Sequence, residues 1–232
     1  MKKIIWVTSF AMAMGFLETA IVIYLRALFY PEGFDFPLKS MPGYLILTEL
    51  SREAATIIML AGIAWIAGSN RHNRFAWFIY TFAIWDIFYY VFLKLILNWP
   101  VSWLTWDVLF LIPCIWAGPV LAPVILSFLM IVIWFLILKF DRTGYLSLKK
   151  SDYLWFIAGA IIHIANFCWD NLVYMLNAKA EAELHTLHLS YVPHYFNWWV
   201  FVLGCIPIFI SIFEILDRNH KLKSRMEAAQ MF

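Results

Sequence analysis

Charge is what this sequence has least of. Only 14% of its 232 residues are Asp, Glu, Lys or Arg, while 64% are apolar. A soluble domain carries about 25% charged and about 45–50% apolar residues. A chain so poor in charge cannot hide its apolar side chains from water, so the composition excludes a soluble globular domain and makes lipid the expected solvent. The net charge is only +2, and the basic residues are scattered through short stretches. No basic patch is present for nucleic acid to bind.

Cysteine and signature motifs are scarce as well. Cys114, Cys168 and Cys205 stand singly in apolar runs, with no metal or redox spacing. They read as small buried hydrophobes. The chain has no G-x-S-x-G elbow, no H-E-x-x-H and no phosphate-cradling glycine loop. Those absences argue against a serine nucleophile, a zincin site and a nucleotide loop.

Long apolar runs are what the sequence has in their place. A membrane span needs about 20 mostly apolar residues at about 1.5 Å each. Six stretches qualify: 4–29, 44–67, 75–97, 108–140, 153–176 and 198–216. The expected fold is all-α, a polytopic integral membrane helix bundle of six transmembrane helices forming one membrane domain. The first apolar run continues past Ala13 to Phe29, so it reads as an uncleaved span rather than a signal peptide. The fourth run is too long for one straight helix and contains Pro113, Gly118, Pro119 and Pro123. Each proline removes a backbone donor and crowds the preceding turn. The expectation is a broken fourth segment, interfacial or re-entrant over 102–113, with the span itself from about 118 to about 139; a kinked helix is the alternative. Thirteen Trp and eleven Tyr suit two membrane–water interfaces.

The placement of the cations gives an orientation. With the N-terminus inside, the inner segments hold Lys2, Lys3, Arg71, Arg74, Lys139, Arg142, Lys149, Lys150, Arg218, Lys221, Lys223 and Arg225. The outer loops hold Lys39 and Lys179 alone. Lys and Arg favour the cytoplasmic side. The chain therefore reads as a small bacterial inner-membrane protein with both termini, including a basic tail over 217–232, in the cytoplasm.

Ionisable residues inside spans are costly and mark function by default. Glu49, Arg52, Glu53 and Thr56 share one helical face by their i, i+3, i+4, i+7 spacing. Asp86, Tyr90 and Lys94 are successive i+4 neighbours, and His163, Asn166, Asp170 and Tyr174 form a third stripe. Glu18 lies about 21 Å, Asp86 about 17 Å and His163 about 15 Å from the inner ends of their spans, with Glu53 about 14 Å below the outer end of its own. Such stripes should face protein or water rather than lipid. The expected arrangement turns all three, with Glu18, toward one outward-facing pocket between the first, second, third and fifth spans. Six acids (Glu18, Glu49, Glu53, Asp86, Asp107, Asp170) then meet three cations (Arg26, Arg52, Lys94). A dry interior cannot hold that excess, so protons, a bound cation or water must relieve it.

This carboxylate-rich pocket is expected to bind or process a small or lipidic ligand. If the chain is an enzyme, Glu53, Asp86, Glu49 and His163 are the candidates for acid–base catalysis. Glu18, Arg26, Arg52, Tyr90, Lys94 and Asp170 are the candidates for binding a lipid or quinone-like ligand. His185 and His188, at i, i+3, with nearby His194, are candidate ligands for a divalent metal. Two other readings stand beside this one. The charges also suit polar joints in a non-catalytic subunit of a larger membrane complex, or the path of a cation- or proton-coupled transporter.

Overall fold

The computed structural model describes residues 2–177 and 191–229. Six helices carry the fold: α1 (Lys2–Phe29), α2 (Gly43–Ala67), α3 (Arg71–Leu97), α4 (Leu121–Arg142), α5 (Lys150–Asn177) and α6 (Trp198–Ala229). All six are long and apolar enough to cross a membrane. Their lateral surfaces fit that solvent. Ile66, Leu176 and Trp199 are 81%, 84% and 79% exposed. Leaving such a side chain in water forfeits about 1.5–3 kcal/mol relative to burial, whereas lipid imposes no such penalty.

The fourth apolar run divides differently from a single helix. Helix α4 begins only at Leu121, and the residues before it form an antiparallel hairpin of β1 (Trp106–Phe110) and β2 (Trp116–Pro119). Trp106 faces Pro119, Asp107 faces Gly118 and Val108 faces Ala117, with an irregularity before the Phe110–Trp116 pair. Pro113 falls in the turn, where no helical donor is needed, and Pro123 falls in the first turn of α4, where a missing N–H costs nothing.

Local sequence explains where the helices start and stop. Asn70 caps α3 by accepting the Asn73 N–H at 2.9 Å. The end of α4 has Gly144 at φ +75°, its N–H bonded to Asp141 and the Tyr145 N–H to Phe140. This left-handed glycine closure satisfies two terminal carbonyls. Asn98 ends α3 in the left-handed region, and the Lys94 ammonium reaches the carbonyls of Asn98 and Pro100 at 3.3 and 2.9 Å.

Small residues set how closely the helices approach. Ala11, Gly15 and Thr19 form an i, i+4, i+8 stripe of α1 against α3. A Cβ on Gly15 would sit 2.9 Å from the Trp85 carbonyl oxygen, and Thr19 bonds both its own helix and the Tyr89 carbonyl at 3.2 Å. The pairing of α5 with α6 is similar: a Cβ on Gly159 would lie 2.9 Å from the Gly204 carbonyl oxygen. Gly15→Leu is expected to force α1 from α3 and to destabilise the protein by about 1–3 kcal/mol. Reversible unfolding in detergent measures this, and a wild-type value would show that the interface is looser than described.

Helix α3 is the shared neighbour of α1, α2 and α4, and α5 pairs chiefly with α6. The two groups meet along α4 and α6, where Ile133, Leu136, Ile137 and Phe140 interlock with Ile208, Ile212 and Ile215. The hairpin bridges them at one end, with β2 packed on both α4 and α5. At the opposite, basic end, Arg218 of α6 holds Asp152 of α5 through two bonds of 2.7 and 2.9 Å.

Candidate functional site

The polar interior gathers at the hairpin end. On α2, Arg52 points at α1 and lies between two acids. It pairs with Glu18 of α1, and its Nη2 and Nε both donate to Oε2 of Glu49, at 2.6 and 3.0 Å. The i, i+3 spacing puts Glu49 and Arg52 on one face, and Thr56 continues it by bonding the Arg52 carbonyl at 3.0 Å. A guanidinium suits this place because its fork serves two carboxylates at once.

Glu53, one residue on, turns to the hairpin. Both of its oxygens accept the single N–H of Leu111, each at 3.0 Å. Leu111 is in the turn between β1 and β2, so this carboxylate grips the tip of the hairpin. Glu53 is buried and makes no ion pair among the described residues.

The other end of β1 is held by Arg26. Its guanidinium lies over the rings of Trp99 and Phe34, which stand nearly perpendicular to each other, at 3.8 and 4.6 Å from their centroids. It pairs with Asp107 Oδ1 at 3.5 Å, while the Tyr90 hydroxyl donates to Oδ2 at 3.2 Å. Two aromatic faces and one carboxylate make a desolvated cage for the cation. Asp86, one helical turn before Tyr90, accepts the Ser127 hydroxyl of α4 at 2.8 Å and makes no ion pair among the described residues. Its neighbour Trp85 packs on Phe110 of β1 at 6.4 Å between ring centroids.

The α5 stripe is directed elsewhere. His163 faces α6, with its ring 4.8 Å from that of Phe201, its Nε2 3.9 Å from the Cys205 sulfur, and Gly204 beneath it. Asn166 donates to the Asn197 carbonyl at 3.2 Å. Asp170 accepts the Tyr191 hydroxyl at 3.0 Å and the His194 N–H at 3.3 Å. Burial and the Asp170 carboxylate push the Tyr191 phenol well above its ordinary range, so it remains a donor.

The groups expected around one pocket are thus divided. Glu18, Glu49, Arg52 and Glu53 form one group on α1 and α2. Arg26 and Tyr90 form another on Asp107, and Asp86 is bonded to α4. His163 and Asp170 belong to the α5–α6 side, and Lys94 is spent on carbonyls at the end of α3 rather than on Asp86. What joins these groups is the hairpin, which touches Glu53 through Leu111, Arg26 and Tyr90 through Asp107, and α5 through Trp116 stacked on Phe167 at 6.2 Å. His185 and His188 lie outside the described residues. The His194 Nδ1 is 2.5 Å from the Val192 carbonyl oxygen, and among the described residues no three His, Cys, Asp or Glu side chains are grouped to hold a metal ion.

Several participants escape the sequence pattern. Asp107 reads as a bordering acid, yet it anchors Arg26 from a strand. The hydroxyl of Ser127 and the N–H of Leu111 are the donors to Asp86 and Glu53, and neither type of group has a spacing signature. Around the hairpin, some buried polar atoms have no partner among the described residues: the indole nitrogens of Trp85 and Trp116, and both amide atoms of Asn171, which is fully buried on α5 one turn after Phe167. Unsatisfied buried donors of this kind cost about 1–3 kcal/mol each unless something meets them.

No protein-family model matches this chain, and no curated protein or solved structure matches it.

Proposed function

We propose that the chain is a multi-pass bacterial inner-membrane protein, both termini cytoplasmic, whose outer half binds or processes a small or lipidic ligand beside a re-entrant hairpin. One observation carries this reading: Glu53 and Asp86 are acids within helices of the bundle, and among the described residues each is held by one neutral donor and neither by a cation. Ionised carboxylates at such depth need a proton, a cation or a ligand. The cations nearby are already committed, Arg52 to two acids and Arg26 to Asp107 and two rings. The site therefore favours a ligand whose polar end supplies donors, a hydroxyl or amine head, over an anionic one. An apolar tail would enter sideways between helices. If chemistry follows, Glu53 and Asp86 are the acid–base pair, since two carboxyl groups in different surroundings divide the roles of proton donor and acceptor.

A second reading has its own support. The Arg52 knot joins α1 to α2 as a structural ion pair would, which suits a non-catalytic subunit of a membrane complex. Native mass spectrometry from mild detergent separates the two. A retained non-protein mass supports the ligand site; other protein chains with no such ligand support the subunit. Topology reporters at residues 145 and 185 test the orientation, which a periplasm-active fusion at 145 or a cytoplasm-active fusion at 185 would contradict.

A further inference from the structure

We infer that the basic end of the bundle holds the phosphate of an anionic phospholipid, in a cleft between α6 and the segment that leads into α5. The cleft has a volume of about 340 Å³. Ser147 and Lys149 line one wall, and Arg218, Lys221 and Arg225 line the other. The three α6 cations are at i, i+3 and i+7, which is one helical face. The walls are bonded to each other. Asn219 accepts the Ser147 N–H at 2.6 Å, and Arg218 donates to the Ser147 carbonyl at 3.0 Å while holding Asp152 of α5. Charge matching across the cleft leaves two cations over. Of the acids that line it, Glu214 pairs with Arg218 and Asp217 with Lys221. Lys149 and Arg225 are exposed and have no acid partner among the described residues. A flexible ammonium on one wall and a forked guanidinium on the other are donors suited to a phosphodiester.

Two observations favour a lipid over a free phosphate. The first is depth. Arg218 and Lys221 come about 30 and about 35 Å along α6 from Trp198. A hydrocarbon core is about 30 Å thick. With Trp198 at one interface, the cleft therefore falls at the headgroup level of the other. The second is an apolar track that leads to it. Val202, Ile206, Phe209 and Phe213 of α6 are exposed, and their steps of three and four residues continue to Asp217 on the cleft. An acyl chain lying along that track brings its own phosphate to Lys149 and Arg225. Basic pockets at the membrane surface draw anionic lipids in this way. The inference needs α6 to cross the membrane. It does not depend on which end faces the cytoplasm, or on a ligand beside Glu53.

The test is a lipid titration of the full chain in mild detergent, read by native mass spectrometry. Chain-deuterated phosphatidylglycerol is compared with phosphatidylcholine of the same chains. The wild type is expected to take up one phosphatidylglycerol at concentrations where phosphatidylcholine does not bind. Lys149→Gln with Arg225→Gln removes both unmatched cations and leaves Arg218 on Asp152, so the fold is kept. Affinity for phosphatidylglycerol should fall about fivefold for each single variant and about 25-fold for the pair. Inorganic phosphate in large excess should leave the lipid in place, because it has no acyl chain to lie on α6. Equal uptake of the two lipids, undiminished phosphatidylglycerol uptake by the double variant, or displacement by inorganic phosphate would each overturn the inference.

Discussion

Arg52→Met is expected to be the most damaging single substitution in the protein, lowering its stability by about 3–5 kcal/mol. The guanidinium is the only cation bonded to Glu18 and Glu49 among the described residues. Its removal leaves two acids facing each other where lipid and protein offer no solvation. The loss should be larger than that from either acid alone, because Glu18→Gln or Glu49→Gln still leaves Arg52 with one carboxylate. It should also be reversible by design. In the Arg52→Met background, Glu18→Gln with Glu49→Gln should recover much of the stability, since neutral amides need no counter-ion. Arg52→Lys should rescue poorly, as an ammonium cannot reproduce the forked contacts. Equilibrium unfolding in detergent across this set measures the coupling directly. Wild-type stability for Arg52→Met would mean that the ion pair joins nothing.

Asp86→Asn and Glu53→Gln are expected to behave in the opposite way, keeping the fold and losing the ligand. An asparagine oxygen can still accept the Ser127 hydroxyl, and a glutamine oxygen can still accept the Leu111 N–H. Stability should therefore change by no more than about 1 kcal/mol. Affinity for a donor-bearing head group should fall about tenfold or more, the loss of one charge-assisted bond of about 1.4 kcal/mol or greater. Lys94→Met is the control. Its ammonium caps the end of α3 at the exposed rim, so ligand binding should not respond. If Asp86→Asn destabilises as severely as Arg52→Met, the acid belongs to the packing and the ligand site is wrong.

The sequence exposes some of this architecture and conceals the rest, for physical reasons. Six long apolar runs are readable because lipid demands apolar length and each helix satisfies its own backbone. The α2 stripe was equally readable. Helical spacing puts Glu49, Arg52 and Glu53 on one face, and Glu18 does meet Arg52. Spacing says nothing about which neighbour a stripe faces, however. His163 and Asp170 share a face of α5, yet that face meets α6 and the segment 191–197 rather than α2 and α3. The hairpin was hidden more deeply. The run over 106–119 is as apolar as a span, and its prolines mark an interruption without specifying strands. Glu53 likewise shows its role only once the Leu111 N–H is in place above it.

That junction, where Glu53 meets the hairpin, is the centre of the proposed site, and its occupancy is directly measurable. Native mass spectrometry of the wild type and Glu53→Gln, extracted side by side in mild detergent, should show a discrete small or lipidic mass on the wild-type chain. The same mass should be much reduced on a variant that unfolds at the wild-type midpoint. A bare wild-type chain, or a retained mass indifferent to Glu53→Gln and Asp86→Asn alike, would contradict the account.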